Sequence, residues 1–467
     1  MDTIKGFLLI LCSVCLLIVS CNRTNTSDIY KVGVAKIDIT PPVGYPVHKV
    51  TSDGVLDALE ARTIVWSKGD NQAALIMADL FYIPLSLSEL VRNLASDETG
   101  IPVSNICLAA THTHADPTCY EEIEQYVQQK KAGNLKDEDI KSYAGQLVER
   151  LVGSVVEASS NLKEVNFSSG NVIIDSVAFN RRHLMKDGTV RMNGGLLNPD
   201  IIGAVGPIDP ELGVVLFMEK ESGKPFLSFS TFAMQLATIG GTTKFSSGYP
   251  HFLETELQQH FGENYISVFG EGPSADVNHW DIAKPGPQIG YELATQPIGK
   301  KLADGFLDNL SFLKENKATL NVRNKIVDVP IQTYSEMDLA WAKSYNDKPV
   351  SALIAARIRK ILSLEELRNK YGNTMPVEVQ VFQIGDETAI VALPGQIFVE
   401  LGLEIKKSSP FETTLIVTLA NNHEECIPLK KAYAEGSYEV VYSLIDSGGG
   451  EMLVDAALTL LNDVKRN

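Results

Sequence analysis

The stretch Asn105-Ile-Cys-Leu-Ala-Ala110 carries five apolar residues in a row after its asparagine and runs directly into Thr-His-Thr-His114. A segment this short, apolar on both of its alternating faces, reads as a strand buried on both sides. Such a strand needs a layer of structure above it and another below. That demand points to a layered α/β fold, in which function collects in loops at the carboxyl ends of central strands. The two histidines stand at such an end. In extended chain, residues two apart share a face, so His112 and His114 can point into one pocket.

The rest of the chain agrees with interleaved strands and helices. Residues 62–66 and 73–77, joined through Lys68-Gly-Asp-Asn71, read as a hairpin. Apolar positions from Ile140 through Tyr143, Leu147, Leu151 and Val155 recur at helical spacing, predicting one amphipathic helix over 139–158. A second helical stretch is predicted over 339–371, with Ile354, Ile358, Ile361 and Leu362 on one face. Residues 377–384 alternate with period two and turn at Gly385-Asp386 into a partner strand over 388–393. No repeat or long linker divides the chain, so the expectation is one large α/β domain.

The N-terminus follows other rules. Residues 7–20 form an unbroken apolar run of signal-peptide length, too short to span a bilayer comfortably. It ends Ile18-Val-Ser-Cys21, which resembles a bacterial lipobox, making Cys21 the expected lipidation site. Acyl chains there give stable membrane anchoring. The expected division is a signal peptide over 1–20, a lipidated tether over 21–30 and the folded domain over 31–467. That places the protein in the bacterial cell envelope, facing the periplasm or the cell surface. Of the six cysteines, Cys107, Cys119 and Cys426 then remain in the mature chain, enough for at most one disulfide. The net charge of −17 excludes a nucleic-acid backbone as partner and disfavours electrostatic docking on anionic lipid.

Several motifs, taken in order, carry a family resemblance. Ala110-Thr-His-Thr-His-Ala-Asp-Pro117 resembles the Ser/Thr-His-Thr-His-Ser-Gly-Pro signature of the neutral/alkaline (non-lysosomal) ceramidases. Val32-Gly-Val-Ala-Lys-Ile-Asp-Ile-Thr-Pro-Pro42 resembles that family's first strand. Phe179-Asn-Arg-Arg-His183, Gly206-Pro-Ile-Asp-Pro210, Phe232-Ala-Met-Gln235, Ala275-Asp-Val-Asn-His279 and Leu393-Pro-Gly-Gln396 are similar to runs in bacterial relatives. The resemblance implies the α/β fold of the family's N-terminal domain, with its C-terminal immunoglobulin-like domain expected to be absent. It also implies a zinc-dependent hydrolase of N-acyl amides, with a small lipid-like substrate.

Carried over by motif, the resemblance places zinc ligands at His112, Gln235, Gln396 and Cys426. It assigns proton shuttling to His114 and oxyanion support to Arg181. Only His112 keeps the family's ligand type. Ala237 and Gly248 stand where bacterial relatives commonly carry aspartates. A neutral amide oxygen is a poor zinc donor beside imidazole or carboxylate, so the expectation is a pocket that does not hold zinc in the family manner. A rebuilt site from His112, Cys119 and Cys426, with His114 or His423, is a second reading; buried, inert cysteines or a disulfide are a third.

Asp276, Asn278 and His279 are expected either in the same pocket or as a polar cluster at a strand end. Asp38 is read as a turn, cap or site residue, and Gly240-Gly241 and Gly448–Gly450 as turns. No Gly-x-Ser-x-Gly elbow and no His-Glu-x-x-His occurs, so a serine nucleophile or a metalloprotease has no support. Two functions follow: an envelope hydrolase of an N-acyl amide with a degenerate zinc site, or a non-catalytic ligand-binding descendant.

Overall fold

A computed structural model describes residues 29–47, 50–345, 350–422 and 425–466. The signal-like run, Cys21, most of the predicted tether and His423 lie outside these residues. Tyr30, expected in the tether, opens the first strand and is buried.

The strand Ile106–Ala110 is buried along its whole length, yet it is the edge of its sheet, not a central strand. The order across that nine-stranded sheet is Ile266–Glu271, Pro225–Phe232, Glu211–Glu219, Lys163–Ile173, Tyr30–Asp38, Glu60–Lys68, Asn71–Ala78, Ile106–Ala110, with Lys314–Glu315 added beside Lys163–Ile173. An open edge invites foreign strands. Here it is closed by the segment around Ala420: Asn421 donates its backbone N–H to the Leu108 carbonyl at 2.7 Å. The Asn421 side-chain oxygen accepts from Leu108 N at 3.0 Å.

A second, four-stranded sheet runs Ala318–Pro330, Thr374–Gly385, Thr388–Ala392, Thr413–Val417. The two sheets face one another. Ile64, Trp66, Leu75, Cys107 and Phe229 from the first meet Phe382, Ile390 and Leu415 from the second in one dry core. The alternating residues Val65, Ala74, Ile76 and Leu108 point the other way, onto the helices Leu85–Thr99 and Tyr143–Ser160. On the far side of the second sheet, Val381, Val391 and Ile416 pack under the helix Gly449–Arg466. Period-two alternation thus generates a mixed α/β domain with helices outside and two sheets inside.

Both predicted hairpins form, Glu60–Lys68 with Asn71–Ala78 and Thr374–Gly385 with Thr388–Ala392. The predicted helix over 139–158 is two helices, Asp137–Lys141 and Tyr143–Ser160. Ser142 ends the first and caps the second by accepting from Gly145 N, the ordinary work of an N-cap serine. Ile140 consequently lies outside the apolar face and is half exposed. The stretch predicted over 339–371 is likewise Glu336–Lys343 and Ala352–Tyr371. Ser351 caps the latter, and Leu364 is buried where Leu362 was expected. Gly448 makes a turn as read, but Gly449 and Gly450 open the helix Gly449–Arg466.

Gly33 is required by close approach. A Cβ there would lie 1.9 Å from the carbonyl oxygen of Ala158, in the helix packed on the first strand. Overpacking against fixed backbone typically costs about 1–3 kcal/mol. Gly33→Ala is therefore expected to lower the thermal midpoint clearly; an unchanged midpoint would mean that the helix slides freely on its sheet.

Candidate functional site

Three strand–helix–strand units bring their carboxyl ends to one place. Asn71–Ala78 leads through Leu85–Thr99 to the parallel strand Ile106–Ala110. Pro225–Phe232 leads through Tyr249–Phe261 to Ile266–Glu271, and Thr388–Ala392 through Val399–Ser408 to Thr413–Val417. Cross-links stitch the ends together. Thr418 N donates to the Glu271 carbonyl at 2.9 Å, Gly272 N to Phe232 at 2.9 Å and Leu419 N to Gly395 at 3.0 Å. The segments bearing His112, Gln235, Glu271 and Gln396 all leave from these ends.

At the first end, His112 is buried with φ of 66°, a left-handed conformation rare for residues other than glycine. Leu419 and Asn421, which cover the adjacent strand, share it at 54° and 61°. Such outliers cluster at functional sites, where the surroundings enforce them. The His112 ring stacks on Phe81 with centroids 4.3 Å apart. Its Nδ1–H donates to the Phe81 carbonyl at 2.7 Å. His114 stands edge-on to His112, ring centroids 5.1 Å apart. His114 lines a pocket of about 520 Å³ together with Val50, Ala237, Gly240 and Ile289. The turn 112–114 therefore sits beside the segment that follows Gln235.

Phe81 is held in turn by Asp116, whose carboxylate accepts from Phe81 N at 3.0 Å and from the Tyr120 hydroxyl. Burial pushes the Asp116 carboxyl up to about 7, against the hydrogen bonds that favour its charge. A raised carboxyl prefers the proton in the folded state. Its stability contribution is complete below the ordinary value of 3.8, declines as pH rises toward about 7, and stays lost above that. Asp116→Asn keeps an acceptor for both donors. It is expected to flatten the fall in melting temperature between pH 4 and 7 and to raise it at pH 8; an unaltered pH slope would refute this.

At the second and third ends, the side chains form a chain of hydrogen bonds. Arg181 Nη1 donates to Gln235 Oε1 at 2.8 Å, and Gln235 Nε2 donates to Gln396 Oε1 at 3.0 Å. Arg181 Nε donates to Glu439 at 2.9 Å, and the guanidinium lies 5.4 Å over the Tyr438 ring. Glu439 also takes Arg182 Nη1 at 2.7 Å. Gln396 is paired with Cys426 in a short parallel bridge, so those two predicted ligand positions are neighbours. Arg181 Nη2 and Glu271 Oε2 are buried and have no hydrogen-bond partner among the described residues. Burial holds the Glu271 carboxyl well above the usual range, with Arg181 pulling it partly back.

Cys107, Cys119 and Cys426 are free and buried. Cys119 packs with the helices of the first sheet and Cys426 with the core of the second. The disulfide reading is not realised, and the structure does not bring Cys119 to Cys426. Burial raises both thiols well above their ordinary range, which keeps them protonated. Among the described residues, no three His, Cys, Asp or Glu side chains gather as a metal-holding group.

Asp276 supports rather than lines the site. Its carboxylate accepts from Asn180 Nδ2 at 2.9 Å and from Val399 N, the first residue of a helix, at 2.8 Å. Its carbonyl takes Arg181 N at 2.8 Å. Asn278 bonds Asn193, while His279 faces a different pocket from His114. Asp38 makes a turn, accepting from Thr40 N at 2.7 Å. Glu439, Glu271 and Phe81 were not singled out by sequence. An isolated glutamate or phenylalanine carries no periodic signal of such a role.

No protein-family profile and no curated protein matches the sequence. Solved structures do. The neutral ceramidase of Pseudomonas aeruginosa superposes with a TM-score of 0.69 at 18% identity, covering 93% of this chain and 75% of that one. A structure described as ceramidase complexed with C2 gives 0.68 at 16% identity, covering 94% and 75%. The chain has the neutral ceramidase fold, far diverged in sequence.

Proposed function

We propose that the protein is a ceramidase-like hydrolase of the bacterial envelope, tethered through Cys21, that acts on an N-acyl amide of a lipid-like molecule without zinc held as in that family. The fold supports the hydrolase lineage. His112, His114 and Arg181 supply an imidazole pair and a guanidinium suited to that chemistry. Arg181 Nη2, buried and without a partner, is a donor suited to an amide carbonyl oxygen.

The observation that carries the departure from zinc is the chain Arg181–Gln235–Gln396. Each glutamine oxygen already accepts a hydrogen bond, and one of them from a cation. Cys426 offers a protonated thiol. At the four ligand positions that leaves one imidazole beside a guanidinium, which does not fit a dication that needs three or four strong ligands. The same observation favours a second reading, a pocket that binds the amide and does not cleave it.

Cleavage of a short-chain N-acylsphingosine by the purified protein, measured with chelator and with added Zn²⁺, tests the proposal. Cleavage indifferent to both supports a metal-independent hydrolase. Binding without cleavage favours the second reading. Cleavage abolished by chelator and restored by Zn²⁺ overturns the account of the site.

A further inference from the structure

His279 is about 94% buried (6% exposed), and neither ring nitrogen makes a hydrogen bond of ordinary geometry among the described residues. The Gln288 backbone lies close enough only to favour the protonated ring weakly, and burial lowers the imidazole to about 4, so the ring is neutral at physiological pH. A buried imidazole left this way is unusual, because burying a polar group without a partner costs free energy. It lines a pocket of about 360 Å³ that does not include His114 or any of the predicted zinc positions.

The walls of that pocket divide by chemistry. Val177, Phe179, Ala294 and Ile298 in the lining are apolar. Lys284 and Lys301 stand at the mouth, and neither has an ion-pair partner among the described residues. Asp281 lies there too, but its carboxylate accepts from Ala283 N at 3.0 Å within a turn. Gln288 clamps the same turn, taking Asp281 N at 2.9 Å and donating to Asp281 O at 2.9 Å and Lys284 O at 2.8 Å. The wall is therefore preformed. The lining also takes in a π-helical turn, Tyr291–Thr295, through Ala294 and Leu293, the latter 62% exposed. Turns of this kind are rare and concentrate at functional sites.

We propose that this pocket is a second ligand site for an amphiphilic monocarboxylate, its carboxylate held by Lys284, Lys301 and an N–H of His279, its apolar body laid against Val177, Phe179 and Ile298. Charge-assisted hydrogen bonds to two ammonium groups suit a carboxylate. A neutral imidazole adds one donor without the repulsion a carboxylate side chain would bring. The site does not require the central pocket to hydrolyse anything.

Titration calorimetry at pH 7 with octanoate, 1-octanol and acetate separates head from tail. Octanoate is expected to bind at least about tenfold more tightly than either, a difference of roughly 1.4 kcal/mol. The double variant Lys284→Gln, Lys301→Gln is expected to lose about tenfold for octanoate at an unchanged melting temperature. His279→Leu is expected to weaken octanoate and leave 1-octanol unchanged. If His279→Leu fails to fold, the lysine variant still decides. No octanoate binding, equal binding of octanoate and 1-octanol, or wild-type affinity in the lysine variant would each overturn the proposal.

Discussion

Glu439→Ala is expected to destabilise the protein by about 3–5 kcal/mol, the usual cost of stripping the partner from a buried charge. Glu439 has no solvent exposure, and its two oxygens take separate cations, Arg181 at 2.9 Å and Arg182 at 2.7 Å. Arg182 retains Glu435 at 3.0 Å. Among the described residues, Arg181 retains the neutral Gln235 and the face of Tyr438 as side-chain contacts, with no other carboxylate in hydrogen-bond reach. The loss thus falls mainly on one guanidinium that is itself buried. With total stabilities of about 5–15 kcal/mol for folded domains, this one change removes a large share. Glu439→Gln keeps the shape but turns an amide N–H toward a cation, so it is expected to fall between wild type and alanine. Urea denaturation of the three proteins measures the series. A loss below about 1 kcal/mol for alanine would mean that water reaches Arg181 and that the pocket is wetter than its packing implies.

Metal content is expected to change more sharply still. The wild-type protein should carry well under ~0.1 zinc per chain after dialysis, while Gln235→His, Gln396→Glu and Cys426→Tyr introduced together should bring it toward ~1. The argument rests on donors. Exchanging Gln396 for glutamate restores a charge, exchanging Gln235 for histidine replaces an oxygen already bonded to Arg181, and the short bridge between residues 396 and 426 keeps the new tyrosine beside the new carboxylate. Elemental analysis of both proteins, with the single variants as controls, reads the outcome. Tight zinc in the wild type that vanishes in His112→Ala would contradict the neutral-network account. If the triple variant also gains cleavage of N-acylsphingosine, ligand identity alone is what withholds that activity from the wild-type protein.

How much of this was open to sequence depends on the kind of signal. Alternation over 377–384 and the all-apolar 106–110 announce their burial because a strand displays its environment every second residue. Helix ends were missed where a serine caps a new helix inside a continuing apolar rhythm, as at Ser142 and Ser351. The edge position of Ile106–Ala110 was unreadable, since what covers it arrives more than 300 residues later at Asn421. At the site, the motifs located His112, Gln235, Gln396 and Arg181, and the structure joins the last three directly. Glu439 escaped because its role is fixed by two arginines far away in the chain, and Phe81 because it acts through a carbonyl that every residue possesses.

The stitching of strand ends around Ala420 has a dynamic consequence. Backbone N–H groups of Ala110, Thr418, Leu419 and Asn421 are each donated across from one segment of the fold to another. None can be released by fraying a single helix or hairpin. Their deuterium uptake should therefore track global unfolding rather than local opening, making these joined strand ends the slowest-exchanging part of the molecule.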